Sequence, residues 1–321
     1  MESPSKLPMD VLGYIADTLG AEIDTRLIPS GIPNGHAVQA LKMLCLTCKF
    51  MVAVCRRHLF AKISLSSFSS LKRVETLSEF LLSHPIIPTR YVKILYLDTS
   101  RFFSPSDYDL LQKLCGSSSL TSINISTTIR SPAYWNTMPE QKKSAFLSLF
   151  QIPTLRHLAL VKIVNFPAAA FSLCCGLTNL VLHEMSNLAP PAPDNRMHRP
   201  KITTLVAWHS IGEVHNTIAA LMNPTGHKKA EKIHSIIAFA HLQDASVNIE
   251  TDTEGFQTCK LLEEAVRLEK LHIQAYASMK LLPGIFSSLA ANPHPKLRYL
   301  KLDFGFSDGD CDNAFFNGLH R

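Results

Sequence analysis

Long apolar runs are missing from this chain. No stretch approaches the roughly 20 residues that span a bilayer, and the opening MESPSKLPMD lacks the basic patch and apolar run of a secretory signal. Glycine is scarce at 13 of 321 residues, and no Gly-rich loop follows the first strand pattern to cradle a phosphate. Neither H-E-x-x-H nor G-x-S-x-G occurs, so no motif announces a zinc protease or an α/β-hydrolase, and sequence alone gives no reason to assemble a Ser-His-Asp triad. A basic stripe is missing too. The net charge of +6 is spread thinly, densest at CRRH (55–58) and HKKAEK (227–232), which argues against a surface that tracks nucleic acid. Eight cysteines in a chain with no export signal read as reduced thiols of the cytoplasm or nucleus, and the adjacent Cys174 and Cys175 suit no disulfide framework.

A repeat is what the chain has in quantity. With 46% apolar and 18% charged residues it reads as globular. The template apolar-x-x-apolar-x-apolar is a short strand whose alternate residues point inward. It fits at Val92-Leu95-Leu97, Leu120-Ile123-Ile125, Leu155-Leu158-Leu160 and Leu177-Leu180-Leu182. It recurs at Ile202-Leu205-Ala207, Ile233-Ile236-Ala238, Leu268-Leu271-Ile273 and Leu297-Leu300-Leu302, with Phe60-Ile63-Leu65 as an opening member. From residue 92 onward the starts lie 22 to 35 residues apart.

Helix-like segments fill the intervals: SFSSLKRVETLSEFLLSH, SPSDYDLLQKLC, MPEQKKSAFLSLF, IGEVHNTIAALM, TEGFQTCKLLEEAVR and MKLLPGIFSSLAAN. Serine, threonine or aspartate often stands near their starts and proline or glycine near an end. The proline-rich segment 186–200 reads as a long loop, because the strand template resumes directly after it. One strand and one helix per period predict an α/β fold, a leucine-rich-repeat solenoid built on a curved parallel sheet. A doubly wound sheet shares the alternation, but constant spacing inside the template and the missing Gly-rich loop favour the solenoid. No cap is recognisable after the strand at 297–302, which leaves open a repeat domain (66–321) that is incomplete at its C-terminus.

Residues flanking the inward positions of such strands face the concave surface. They are Tyr96, Asp98, Asn124, Ser126, His157, Asn179, His183, Trp208, Phe239, Lys270, His272, Gln274, Tyr299, Lys301 and Asp303. Tyr96, Asn124, His157, His183, Trp208, Lys270, His272, Tyr299 and Lys301 are the candidates for contacting a protein target. Trp208 is a candidate hot spot, with packing under the 186–200 loop as the competing role. Lys270, His272, Tyr299 and Lys301 form a mildly basic aromatic corner suited to an acidic target.

The first sixty residues are different in kind. LPMDVLGYIADTL predicts a helix with proline in its first turn, followed by a loop, GAEIDTRLIPSGIPNGHAVQ. In LKMLCLTCKFMVAVCRRHLF (41–60), Cys45-x-x-Cys48 and Cys55-x-x-His58 imitate metal-ligand spacing. On one continuous helix, Leu41, Leu44, Cys48, Met51, Val52, Cys55 and Leu59 share an apolar stripe roughly 100° wide. Cys48 and Cys55 are then about 10 Å apart along the axis, whereas thiolates on one zinc lie within about 4 Å of each other. No metal site is expected. Nor does DGDCDN (308–313) make a calcium loop, with Asn313 and Leu319 where glycine and glutamate belong.

These segments, LPMDVLGYIADTL and then ALKMLCLTCKFMVAVCRRHLFAKISL, resemble the F-box (residues 5–65), in the fungal, basidiomycete-like version coupled to leucine-rich repeats. Leu7, Pro8, Val11, Leu12, Ile15 and Leu19 match its first part; Leu41, Leu44, Cys48 and Phe50 match its second, which ends in RRHLF. The inter-helix loop is longer than the family's, and Phe50 stands where tryptophan is common. The resemblance implies docking to the Skp-type adaptor of SCF ubiquitin ligases, and through it to a cullin, by these residues and Met51. The repeats would capture an unknown protein target, with no cofactor, no metal and no covalent chemistry of the chain's own. Physics supports a partner, since so small an apolar bundle leaves a stripe in need of a helix. The alternative expectation is a repeat scaffold without a ubiquitin role, its N-terminal helices capping the solenoid.

Overall fold

Alternate apolar residues at the template sites form strands that lie side by side in chain order. The computed structural model describes residues 8–24, 35–65, 71–127, 131–185, 198–208, 237–249, 252–275, 282–292 and 294–304. Among these, nine strands make one parallel sheet, and each neighbours the next in sequence. They are β1 (Lys62–Leu65), β2 (Ile94–Asp98), β3 (Ser122–Ser126), β5 (His157–Val161) and β7 (Asn179–His183), then β8 (Thr204–Trp208), β9 (Asp244–Ile249), β10 (Lys270–Ala275) and β11 (Tyr299–Phe304). Two short strands, β4 (Ala133–Tyr134) and β6 (Ile163–Val164), pair separately.

One hydrogen-bond device recurs at every strand entrance. The carbonyl of Ala61 accepts from the N–H groups of both Lys93 and Ile94, and Lys93 in turn accepts from Thr121 and Ser122. The pattern continues through the carbonyls of Thr121, Arg156, Thr178, Thr203, Gln243 and Glu269, the last taking Arg298 and Tyr299. Eight identical steps therefore link residues 61 and 298, a period of about 30 residues.

Register aligns Leu95, Ile123, Leu158, Leu180, Leu205, Ala245 and Leu271 in one row across the sheet, and all are buried. Helices α4 (Leu71–Ser83), α5 (Ile86–Arg90), α6 (Pro105–Cys115), α7 (Glu140–Phe150), α8 (Asp252–Glu264) and α9 (Leu282–Ala291) join the strands. Leu110, Leu111, Leu114, Phe146, Phe150, Leu261 and Leu262 from them enter the same core. Trp135 packs there edge-on to Phe166, ring centroids 5.0 Å apart. One face of the sheet is thus covered and the other carries the polar residues.

Local sequence explains the sharpest helix start. Ser104 caps α6 in a capping box with Asp107, and Pro105 takes the first turn. The same Asp107 is fully buried and accepts from Ser78 Oγ (2.6 Å) and from Arg101. Lys142 of α7 donates to the carbonyls of Thr99 and Arg101, both at 2.7 Å, and lies over the Phe103 ring. Burial lowers its pKa to about 8. These groups tie α4, α6 and α7 to the loop after β2.

Two expectations need correction. The apolar stretch 41–59 is not one helix: α2 (Gly35–Cys45) and α3 (Lys49–Leu59) are separated by a turn. Leu46 and Thr47 close that turn onto the carbonyls of Met43 and Leu44, the Thr47 hydroxyl also takes the latter (2.7 Å), and Cys48 is extended. The strand template at 233–238 is also displaced. Residues 233–236 lie outside the described residues, and the strand is β9, entered by Leu242-x-x-Ala245-x-Val247. Phe239 is fully buried instead of facing outward. The first helix, α1 (Met9–Asp24), extends beyond the predicted end. The helical segment at 211–222, most of the 186–200 loop and the acidic run 308–313 lie outside the described residues. Among those described, no helix is long and apolar enough to cross a membrane.

Candidate interaction surfaces

Helices α1, α2 and α3 pack on one another around a small core of Ala16, Leu41, Met51 and Cys55, separate from the core under the sheet. Leu12, Leu19, Leu44 and Cys48 lean against it half-buried. Leu41 and Met51, expected on the contact surface, have no exposed area, because three short helices need their common stripe for each other. Pro8, Val11, Ile15 and Phe50 are exposed, and Leu7 lies outside the described residues. The larger exposed apolar groups are ones the stripe did not single out: Tyr14 at 74%, Leu46 at 80% and Met43 at 57%. Their signal was an apolar residue off the stripe.

Arg57 and His58 of the RRHLF segment both bond Asp17 on α1. The hydrogen bond from Arg57, then that from His58, hold the Asp17 carboxyl below its usual range. Gly20 makes this approach feasible, since a Cβ there would come within 2.1 Å of the His58 ring.

The helix break also brings the cysteines together differently from the single-helix geometry. Burial first, and the neighbouring Cys45 second, push the Cys55 thiol up to about 12. Among the described residues no group of three or more His, Cys, Asp or Glu is placed to hold a metal ion.

On the sheet, register puts all nine candidate target contacts on the face opposite the buried rows. His157, Lys270 and Tyr299 belong to one row, Tyr96, Asn124, His272 and Lys301 to the next, and His183 and Trp208 to a third. Trp208 sits centrally with both neighbouring imidazoles edge-on, His183 and His272 each 6.4 Å away between centroids. The residue is 37% exposed, while its indole N–H donates to Ser246 Oγ at 3.0 Å.

The corner of Lys270, His272, Tyr299 and Lys301 is assembled as a two-by-two block. It also holds its own counter-ion. Asp303 accepts from Lys301 (2.7 Å) and contacts His272 (2.8 Å) through the same oxygen. Hydrogen bonding to Lys301 first, and to His272 second, depresses the Asp303 pKa, so the corner presents less positive charge than its lysines suggest. Ser246 was missed with the β9 register; Ala245, too small to stand out in an apolar template, was the signal. No family model matches this chain, and none of the curated proteins matches it either.

Proposed function

We propose that the chain is a substrate-recognition subunit of an SCF-type ubiquitin ligase, its N-terminal helices an F-box that docks to a Skp-type adaptor and its repeats a leucine-rich-repeat solenoid that binds the target. The observation that carries this reading is the exposed apolar surface of α1–α3, which encloses its own small core apart from that of the sheet. A partner helix laid over Val11, Tyr14, Ile15 and Phe50 would remove that surface from water. Eight repeated strand entrances and a polar outer face support the solenoid half of the reading. Held in one chain, the two halves would raise the concentration of target near the ligase.

The alternative, a scaffold whose N-terminal helices only cap the sheet, predicts one continuous core, and the separation of the two cores weighs against it. Co-purification with a Skp-type adaptor is the test. The wild-type chain should retain the adaptor, and Tyr14→Asp with Phe50→Asp should lose it while the repeats stay folded. Retention by that double variant, or no retention by wild type, would sink the docking role.

A further inference from the structure

Three neighbouring strands assemble a hydrogen-bond relay that no sequence motif announces. Ser246 Oγ lies 3.1 Å from His272 Nδ1, and His272 Nε2 lies 2.8 Å from Asp303 Oδ2. Ser246 and His272 are direct partners in the β9–β10 register, and Asp303 stands diagonally across on β11. The carboxylate sets the direction of the relay. The Asp303 carboxylate can only accept, so a neutral His272 ring carries its single proton on Nε2 and leaves Nδ1 to accept from the Ser246 hydroxyl, whose oxygen also takes the Trp208 indole N–H. A general base needs this tautomer: a lone pair on the hydroxyl side and an anion behind the ring. Lys301, 2.7 Å from the same Asp303 oxygen, keeps that anion in place.

We propose that Ser246 is a nucleophile activated by His272 and that this site accepts an acyl group from a small ester. His272 Nδ1 takes the Oγ proton as the bond from Oγ to the acyl carbon forms. The ester C–O bond breaks, and the proton passes to the departing alcohol. The product is an O-acyl serine. Asp303 acts as a positioning residue that selects the tautomer. Strand N–H groups around Ser246 are committed to the sheet, so they offer no oxyanion hole. That confines the reaction to activated esters and one slow acylation, not rapid turnover. The proposal is independent of the adaptor reading, because it concerns the other end of the chain and needs no partner.

An alkyl fluorophosphonate tests it on the full chain: Oγ displaces fluoride at phosphorus, and intact mass spectrometry counts the adducts. One phosphonyl group per chain is expected, mapped to Ser246 by peptide sequencing of the wild-type adduct, a measurement that needs no variant to fold. Ser246→Ala should carry none. His272→Gln should label at least about 100-fold more slowly. Asp303→Asn should slow labelling and Asp303→Glu should recover part of the rate. An unlabelled wild-type chain, an adduct on another residue, or equal rates in wild type and His272→Gln would each overturn the proposal.

Discussion

Asp17 and Asp107 each hold an arginine, but in opposite surroundings. In the N-terminal helices, Asp17 and Arg57 meet at the surface, their side chains about half exposed at 51% and 47%. Beneath the sheet, Asp107 and Arg101 meet with essentially no exposure. The cores differ as well: among the described residues the three helices close around Ala16, Leu41, Met51 and Cys55 alone, whereas the sheet draws strands and helices onto one long core. A small bundle has too little interior for its apolar content, and a repeated strand–helix unit gains a buried neighbour at each step. The helices therefore keep apolar side chains at their surface, and the sheet is held by its interior.

The sharpest way to break this comparison is to remove each aspartate. Asp107→Ala strands the Arg101 charge in the core and should cost about 3–5 kcal/mol. Asp17→Ala should cost no more than about 1 kcal/mol. Urea denaturation of both variants checks this, and equal losses would show that the two pairs are alike.

Lys142 offers a second contrast, in pH. Burial lowers its folded pKa from 10.5 to about 8, so between those values the unfolded chain binds more protons than the folded one. The Lys142 contribution to stability should then rise as pH increases from about 8 to 10.5, by on the order of 3 kcal/mol. Below pH 8 it should be constant. The cysteines whose pKa is raised from 9.0 to about 12 work in the other direction above pH 9, so the measurement is the difference between wild type and Lys142→Met at each pH. A flat difference would mean the ammonium is not desolvated.

The smallest effect lies inside one helix. Gly13 of α1 has open space where a Cβ would go, and Gly20 has the His58 ring. Gly13→Ala should stabilise by roughly 0.5–1 kcal/mol. Gly20→Ala must displace His58 from Asp17 and should destabilise by about 1–2 kcal/mol. Thermal melts shifted in these opposite directions would place α1 and α3 at the distance described, and two gains would separate them.

Much of the sheet was legible because its pattern is local. Leu158 and Leu160, for example, are inward on a strand whatever lies beside them, and the alternation puts His157 on the opposite face. The β9 strand was misplaced because Ile233 and Ile236 match an apolar template better than Ala245 does, although Ala245 fills the row between Leu205 and Leu271. The turn at 46–48 carries no proline or glycine, and threonine closed it through its own hydroxyl. Helical periodicity also could not say whether the Leu41 and Met51 stripe met a partner or its own neighbours; packing against α1 answered that.

What the sequence determined by itself is the repeat: spacing of apolar residues every two positions within a strand and about every 30 between strands specifies strands, helices and the face each residue takes. Tertiary structure alone decided which of those residues meet. Ser246, His272 and Asp303 are distant in the chain and join only because parallel register sets adjacent strands about 4.8 Å apart. The burial of Asp107 and the exposure of Tyr14 depend likewise on neighbours that no local pattern names.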